Sequence, residues 1–192
     1  MKHLLYLGSA IVVALVLGTG SAWWVVAGFG SEAVRYGAWK FYPLVGSSAA
    51  SDLLRAKIAR GGLLALNRSE AIYFIADRDE QGDELRRDCT YRLEGRDLDA
   101  RWWSITAYAE DLHLIPNALN RYSYNDANVD REPDGGYALH LSGSPRDGNW
   151  IPTGGEGAFD LALRIYSPGP TLSGDLDAVE LPRIIREGCP DR

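Results

Sequence analysis

Alternate positions of one predicted strand, residues 101–109, carry the most informative side chains in the sequence. They combine flat aromatic rings with hydroxyl groups, at Trp102, Ser104, Thr106 and Tyr108. Such a surface suits a sugar or another amphipathic ligand, because rings stack on apolar patches while hydroxyls fix the orientation. The alternative is that Trp102 and Tyr108 pack beneath a helix over residues 52–66 and complete a second core layer. The sequence leaves both interpretations open.

A second candidate set carries amide, indole and guanidinium groups near the ends of predicted strands. Its members are Asn117, Asn120, Arg121, Asn149, Trp150 and Arg164. Arg121 and Arg164 could converge on a carboxylate or phosphate, because the guanidinium fork matches both groups. Alternatively, these side chains anchor loops through hydrogen bonds to the backbone.

Residues suited to catalysis or metal binding are sparse. The sequence contains no Walker loop, GxSxG elbow or HExxH motif. Residues 77–88 have nearly the spacing of a calcium loop, but they end in Asp rather than Glu and have strands at their flanks, so we interpret them as a solvated hairpin turn. His113 and His140 are too few for a metal site, which needs three or four ligands. We therefore name no catalytic residue and expect neither a metal nor a cofactor.

The charge balance bears on the class of partner. The chain has 20 basic and 26 acidic residues, a net charge of −6. A protein that binds duplex nucleic acid needs a clustered positive surface, whereas these bases are scattered through an acidic body. We expect no nucleic-acid partner.

An uncharged apolar segment, residues 4–30, opens the chain. It is long enough to span a bilayer, since about 20 helical residues cross a core of about 30 Å. Trp23 and Trp24 near its end are typical of a membrane interface, and Lys2 favours an N-terminus that stays inside. We predict a single-pass inner-membrane anchor with the body in the periplasm. A cleaved signal peptide with Gly20-Ser21-Ala22 at its cleavage site is the alternative.

The predicted location bears on the oxidation state of the two cysteines. Cys89 and Cys189 could form a disulfide if the body is exported, and closing so long a loop could contribute roughly 4–5 kcal/mol in a chain-entropy model. The alternative is a pair of buried thiols.

The remaining sequence predicts a linker and a β-rich domain. We expect residues 31–50 to be a linker, and residues 51–192 to form an amphipathic helix followed by strands. Ser51 or Asp52 can cap that helix, and Gly61-Gly62 should weaken it. The bases on the helix either contact anionic lipid headgroups or form a solvated face; they are Arg55, Lys57 and Arg60.

Period-two alternation dominates from residue 70 onward. Apolar residues recur at every second position in four segments, at Cys89/Tyr91/Leu93, Trp103/Ile105/Ala107, Tyr137/Leu139/Leu141 and Phe159/Leu161/Leu163/Ile165. Turn signals separate these segments. Residues 71–76 form a continuous apolar run, which is typical of a strand covered on both faces. We predict a mainly β fold, an antiparallel jelly-roll-like β-sandwich preceded by the amphipathic helix and the transmembrane helix.

The order of several short motifs resembles one bacterial protein family. The motifs are GGLLAL at 61–66, EAIYF at 70–74, ARWWSITAY at 100–108, IPN at 115–117, NRYS at 120–123, NWIP at 149–152 and LRIYSP at 163–168. They resemble domain of unknown function 1214 over residues 48–185. In longer relatives a 1254 domain precedes it, and the resemblance implies that both are jelly-roll-type β-sandwiches. This sequence resembles the short, anchored form without that partner domain, and the resemblance implies no settled activity.

The sequence therefore favours a membrane-anchored periplasmic module that binds a small amphipathic ligand or an envelope protein, without chemistry of its own. The alternative is a hydrolase or lyase acting on a small envelope or imported molecule. Few titratable groups of catalytic type occur, which favours binding or an accessory role over catalysis.

Overall fold

A computed structural model describes residues 2–28, 33–60 and 64–190. The helices are α1 (Lys2–Gly28), α2 (Asp52–Arg60) and α3 (Pro170–Ser173), with a 3-10 turn at Leu176–Ala178. The strands are β1 (Val34–Tyr36), β2 (Trp39–Phe41), β3 (Ala71–Ala76), β4 (Thr90–Arg96), β5 (Ala100–Ala109), β6 (Ser123–Asn125), β7 (Gly136–Ser142), β8 (Trp150–Pro152), β9 (Phe159–Pro168) and β10 (Arg183–Gly188).

The apolar segment at the start of the chain forms α1. Its stretch Tyr6–Val25 is long and apolar enough to cross a membrane, and none of it is buried in the protein. A signal sequence would have the same properties, because it too is an apolar helix near the N-terminus. Residues 29 and 30 of the predicted span lie outside the described residues.

Two sheets make up the body. One has six strands in the order β1-β2-β3-β9-β5-β6, and the other has four in the order β10-β4-β7-β8. The predicted mainly β fold with an apolar helix before it is confirmed. The prediction of wholly antiparallel strands is wrong at one pair, since β8 runs parallel to β7. Residues 143–149 contain turn signals, but they do not close an antiparallel hairpin. They carry the chain back so that β8 runs in the same direction as β7, and Asn149 holds this arrangement by donating to the Ala138 carbonyl at 3.0 Å.

The core lies between the inward faces of the two sheets. Trp103 of β5 stacks on Tyr137 of β7 with ring centroids 4.9 Å apart, and Tyr91 of β4 meets Phe159 of β9 at 5.8 Å. All the apolar positions of the four predicted alternating segments belong to this one buried cluster. The period-two pattern therefore predicted the inward faces correctly, because successive strand residues point to opposite sides of a sheet.

Part of the predicted linker is strand. β1 and β2 form a hairpin, and β2 pairs with β3 through Lys40 opposite Ile75 and Phe41 opposite Phe74. Trp39 is only 1% exposed and its indole nitrogen donates to the Pro182 carbonyl at 2.6 Å. The segment 31–50 is thus not a simple linker, because the alternating Trp39, Lys40 and Phe41 bury one face against the core.

α2 is shorter than the predicted helix and lies outside the core. The Ser51 hydroxyl accepts a hydrogen bond from the Leu54 amide at 3.2 Å, which caps the helix as predicted. No residue of α2 is buried. The helix lies against α1, where the Arg60 guanidinium is 5.0 Å from the centroid of the Trp23 ring. α2 therefore forms no second core layer; Gly61 and Gly62 lie outside the described residues.

A disulfide joins Cys89 and Cys189, 100 positions apart, with their Cα atoms 4.2 Å from each other. It links the start of β4 to the end of β10, two strands that already pair antiparallel. The predicted crosslink is therefore present, and it fixes β10, the edge strand of the four-stranded sheet, to its neighbour β4.

Candidate functional site

Cross-strand register brings several predicted site residues onto the outer face of the six-stranded sheet. In the pairing of β5 with β9, Trp102 lies opposite Tyr166, and Ser104 lies opposite Arg164. Alternate residues of a strand share a face, so neighbouring rows of the same register belong to one surface. We call this surface the Arg164 face, made up of Tyr73, Trp102, Ser104, Thr106, Tyr108, Asp160, Ala162, Arg164 and Tyr166.

Arg164 occupies the middle of this face. Its guanidinium donates to the Tyr108 hydroxyl at 2.8 Å and to the Thr106 hydroxyl at 3.3 Å, and lies 5.3 Å from the Tyr108 ring centroid. Arg131 and Arg186, by contrast, form ion pairs with aspartates. Among the residues that the structure describes, no carboxylate forms an ion pair with Arg164. The guanidinium of Arg164 donates to neutral hydroxyl oxygens, so its positive charge can still pair with an anion.

An aromatic pair occupies the neighbouring row of the face, on the opposite side of Arg164 from Thr106 and Tyr108, which its guanidinium contacts. The rings of Trp102 and Tyr166 lie with centroids 5.5 Å apart and planes tilted by 52°. Both side chains are half-buried, whereas Ser104 and Thr106 beside them are buried, at 6% and 7% exposure. The face therefore presents rings and a cation above a floor of small side chains, a combination that fits an amphipathic anion.

Asp160 adds a titratable group at the other end of the face. It lies opposite Tyr108 in the register. Burial, followed by repulsion from the Asp77 carboxylate, raises the pKa of Asp160 to about 6, although Lys40 acts in the opposite direction. Asp77 itself pairs with Lys40 and, at 4.0 Å, with Arg35. A half-buried carboxyl that titrates near neutrality is a recurring feature of functional sites.

The alternation of Phe159, Leu161, Leu163 and Ile165 puts Asp160 on the outward side of β9, but no sequence pattern identified it as a site residue. The available signal was an acidic residue within a strand rich in buried apolar positions. The burial that shifts its pKa depends on neighbouring strands, and one strand's sequence does not specify those neighbours.

The second candidate set is not gathered on the Arg164 face. Arg121 donates to the Trp150 carbonyl at 3.4 Å and lies 6.0 Å from the Tyr124 ring centroid. Arg164 contacts Thr106 and Tyr108 instead. The two guanidinium groups therefore share no partner among the described contacts.

The asparagines of this set hold loops in place. Asn117 donates to the carbonyls of Ile115 and Arg121 and accepts from the amides of Leu119 and Arg121, at 2.9 to 3.2 Å. Asn149 is 4% exposed and bonds to both the amide and the carbonyl of Asp130 at 2.8 Å. These contacts agree with the loop-anchoring alternative.

Asn120 and Trp150 have similar local contacts. Asn120 has a positive φ of 50° and accepts a hydrogen bond from the Tyr122 hydroxyl at 3.0 Å. The Trp150 indole donates to the Ser142 carbonyl at 3.1 Å across the parallel pair. A ligand-binding role for the second set stays a prediction.

The carboxylates of the calcium-like segment are engaged within the chain. The side chain of Asp79 is fully buried, accepts from the amides of Gln81 and Asp83 at 3.0 Å, and pairs with Arg186 at 2.8 Å. These bonds form a tight local turn, closed by a bridge between Arg78 and Glu84. The interpretation of the segment as a solvated hairpin is wrong in two respects, because Asp79 is buried and because β3 and β4 belong to different sheets. Within the described ranges, no group of three or more His, Cys, Asp or Glu side chains could hold a metal ion.

A cleft of about 250 Å³ lies apart from the Arg164 face, beside β4, β7 and β10. Its charged lining includes Glu94, Arg96, Glu132, Asp134, Glu180 and Arg183. Arg96 pairs with Asp134 at 2.7 Å. None of these residues belongs to the two candidate sets predicted from the sequence.

Comparison with a solved structure of TM-score 0.60 supports the fold. The chain is similar to the VPA0106 protein of Vibrio parahaemolyticus, with 24% identity and a TM-score of 0.60, over 73% of this chain and 36% of that one. A putative uncharacterized protein from Burkholderia cenocepacia is 20% identical, with a TM-score of 0.42, over 64% of this chain and 31% of the other. The chain thus spans about a third of each. No curated protein matches the sequence.

A family model described as "Protein of unknown function (DUF1214)" matches residues 70–170. The matched segment makes up more than half of the chain and includes β3, β5 and β9, the strands that form the Arg164 face. The chain therefore belongs to the family of proteins of unknown function called DUF1214.

Proposed function

We propose that this protein is a single-pass inner-membrane protein whose β body lies in the periplasm and binds a small amphipathic anion or an envelope partner. Two features support the location: α1 is long and apolar enough to span a bilayer, and the disulfide is typical of an oxidising compartment.

Arg164 is the observation that carries the binding proposal. Within the described part of the chain, the hydrogen bonds of this guanidinium go to the hydroxyls of Thr106 and Tyr108, so it keeps its attraction for an anion. The adjacent Trp102–Tyr166 pair can stack against a sugar or aromatic ring. A carboxylate carried on a ring would pair with Arg164 while the ring packs against Tyr108, whose ring centroid lies 5.3 Å from the guanidinium.

A role as an accessory subunit uses a different surface. The loop between β5 and β6 exposes three leucines: Leu112 at 51%, Leu114 at 41% and Leu119 at 53%. Leu112 also has a positive φ of 65°, an unfavourable conformation for leucine. Exposed apolar side chains on a strained loop favour contact with a partner protein.

Binding can be tested on the full chain in detergent micelles by calorimetric titration with glucuronate and benzoate. Glucose and benzyl alcohol serve as uncharged counterparts. We expect the anions to bind and the neutral compounds to bind much more weakly. Arg164→Gln should weaken anion binding by roughly 10- to 100-fold, because a hydrogen bond to a charged group contributes about 1.5–3 kcal/mol.

Arg101→Gln is the matched control, since Arg101 is an exposed base on β5 outside the Arg164 face. It should bind the anions like the wild type. Equal affinity of wild type and Arg164→Gln for all four compounds would remove Arg164 as the anion-binding group.

A hydrolase or lyase is the second candidate function, and Asp160 is the observation that favours it. Its pKa of about 6 and its position opposite Tyr108 place a proton donor or acceptor beside a phenol that already contacts Arg164. In this case turnover of a glucuronide or an aryl ester should depend on a group that titrates near pH 6 and should be lost in Asp160→Asn. Turnover that Asp160→Asn leaves unchanged would exclude Asp160 from the reaction.

A further inference from the structure

The rest of the protein covers α2 only in part. It is nine residues long and none of its residues is fully buried, although Leu54, Lys57 and Ile58 are half-buried. Isolated helices shorter than about 12–15 residues are marginal in water, and most helices in proteins depend on the packing of an apolar face. Its contact with α1, through Arg60 and Trp23, leaves much of the helix exposed.

The composition of α2 matches one kind of surface. Leu54 and Ile58 lie one turn apart on a single face, and helical geometry places Arg55 and Lys57 on either side of them. Apolar residues flanked by bases are typical of helices that lie in the plane of a membrane, since long basic side chains reach the headgroups while apolar ones enter the acyl boundary.

Exposed leucines also occur within α2 and a few residues beyond it in the sequence. Leu53 is 37% exposed, and beyond α2 Leu64 is 85% and Leu66 is 37% exposed. α2 contains three bases and one acid, Asp52, although the whole chain has a net charge of −6. The basic, leucine-rich surface therefore differs in charge from the rest of the body.

α2 also lies beside the end of α1 that carries the tryptophans. Trp23 and Trp24 lie near the end of α1, at 67% and 61% exposure, and indole rings favour the membrane–water interface. Arg60 of α2 sits over Trp23. If α1 spans a bilayer, α2 is at the level of the headgroups.

We propose that α2 lies on the surface of the bilayer that α1 enters and binds its anionic headgroups. This inference rests on the proposed membrane anchor. It gives the protein a second membrane contact, which fixes the orientation of the body relative to the bilayer. Each Lys or Arg near an anionic surface strengthens such binding severalfold, and salt weakens it.

Hydrogen exchange of the full chain in nanodiscs tests this contact. One sample contains phosphatidylcholine alone, and the other also contains phosphatidylglycerol. We expect the amides of residues 54–60 to exchange at least about tenfold more slowly in the anionic nanodiscs, with the difference shrinking as salt is raised. Equal exchange in the two lipids would overturn the proposal, whether slow or fast, because the bases would then have no role.

Charge variants make the test specific. Arg55→Gln with Lys57→Gln keeps the contact of Arg60 with Trp23 and should lose most of the lipid-dependent protection. The control removes two exposed bases elsewhere, Arg146→Gln with Arg183→Gln, and should retain it. If the α2 variant kept its lipid-dependent protection from hydrogen exchange, the proposal would be contradicted. Unchanged exchange of the α2 variant in neutral nanodiscs verifies that the helix still forms.

A separate experiment tests membrane anchoring by α1: proteoliposomes are treated with alkaline carbonate, and the released fraction of the chain is measured. Release of the chain would mean that the proposed anchor fails. Retention combined with exchange that does not depend on lipid charge would overturn only the α2 contact.

Discussion

Asp160 couples the candidate site to pH. Burial on the outer face of β9 raises its pKa from 3.8 to about 6, so the folded protein binds a proton more tightly than the unfolded chain does. Its contribution to stability is fully present below about pH 3.8 and is lost as the pH rises through about 6. At neutral pH the ionised carboxylate therefore destabilises the fold.

Asp160→Asn should consequently stabilise the protein at pH 7.5, by about 1–2 kcal/mol after allowance for partial solvent screening. The gain should shrink towards zero at pH 4. Urea unfolding of the full chain in micelles at both pH values measures it. Asp147→Asn, in an exposed loop, is the control and should have no such pH-dependent effect. A variant less stable than wild type at pH 7.5 would contradict the raised pKa.

The Asp79–Arg186 pair makes a second residue-level prediction. The carboxylate of Asp79 is fully buried, and Arg186 lies 2.8 Å from it with 25% of its side chain exposed. Arg186→Gln leaves that charge without its cation and should cost about 3 kcal/mol of unfolding free energy. Arg183→Gln, at an exposed position of the same strand, should cost less than about 0.5 kcal/mol. Similar losses in the two variants would show that the buried pair is unimportant.

The sequence predicted one strand of the Arg164 face but not the pairing of that strand with β9. Trp102, Ser104, Thr106 and Tyr108 were assigned to one outward face because alternation within a strand is a local property. Their proximity to Arg164 was not predictable, since it depends on β9 lying beside β5 rather than on any spacing within either strand.

At the scale of elements, the packing of β4 against β7 depends on a missing side chain. Gly95 lies opposite Tyr137, and a Cβ at Gly95 would lie 2.6 Å from the Tyr137 ring. That ring also stacks on Trp103, which limits its movement. The glycine is therefore required for space.

Gly95→Ala should lower the unfolding free energy by about 1–3 kcal/mol, because overpacking forces a well-packed ring to shift. Gly188→Ala is the matched control: no atom lies within 4 Å of the added Cβ and its φ is ordinary. Thermal unfolding of both variants tests this. An unchanged Gly95→Ala protein would mean that Tyr137 moves freely.

Elements with long alternating patterns were predictable, whereas short ones were not. β4, β5, β7 and β9 have seven to ten residues each, enough for period two to emerge. β2 and β8 have three residues each, and tertiary pairing determines them. β8 also depends on the brace from Asn149, whose partner Ala138 lies on another strand.

At the scale of the whole molecule, three features belong together. An apolar helix leads into a two-sheet body, and a disulfide closes a loop of 100 positions between the start of β4 and the end of β10. In a chain-entropy model such a crosslink contributes roughly 4–5 kcal/mol, but only where thiols are oxidised. An anchored body on the oxidising side of a membrane would use both features.

Protease accessibility in spheroplasts of a Gram-negative expression host tests this account most directly. The full chain would carry an epitope tag at its N-terminus, before Lys2. Externally added protease should digest the body and leave a short membrane-bound fragment that retains the tag. A body that stays intact until the membrane is permeabilised would contradict the account, because it would place the body in the cytoplasm.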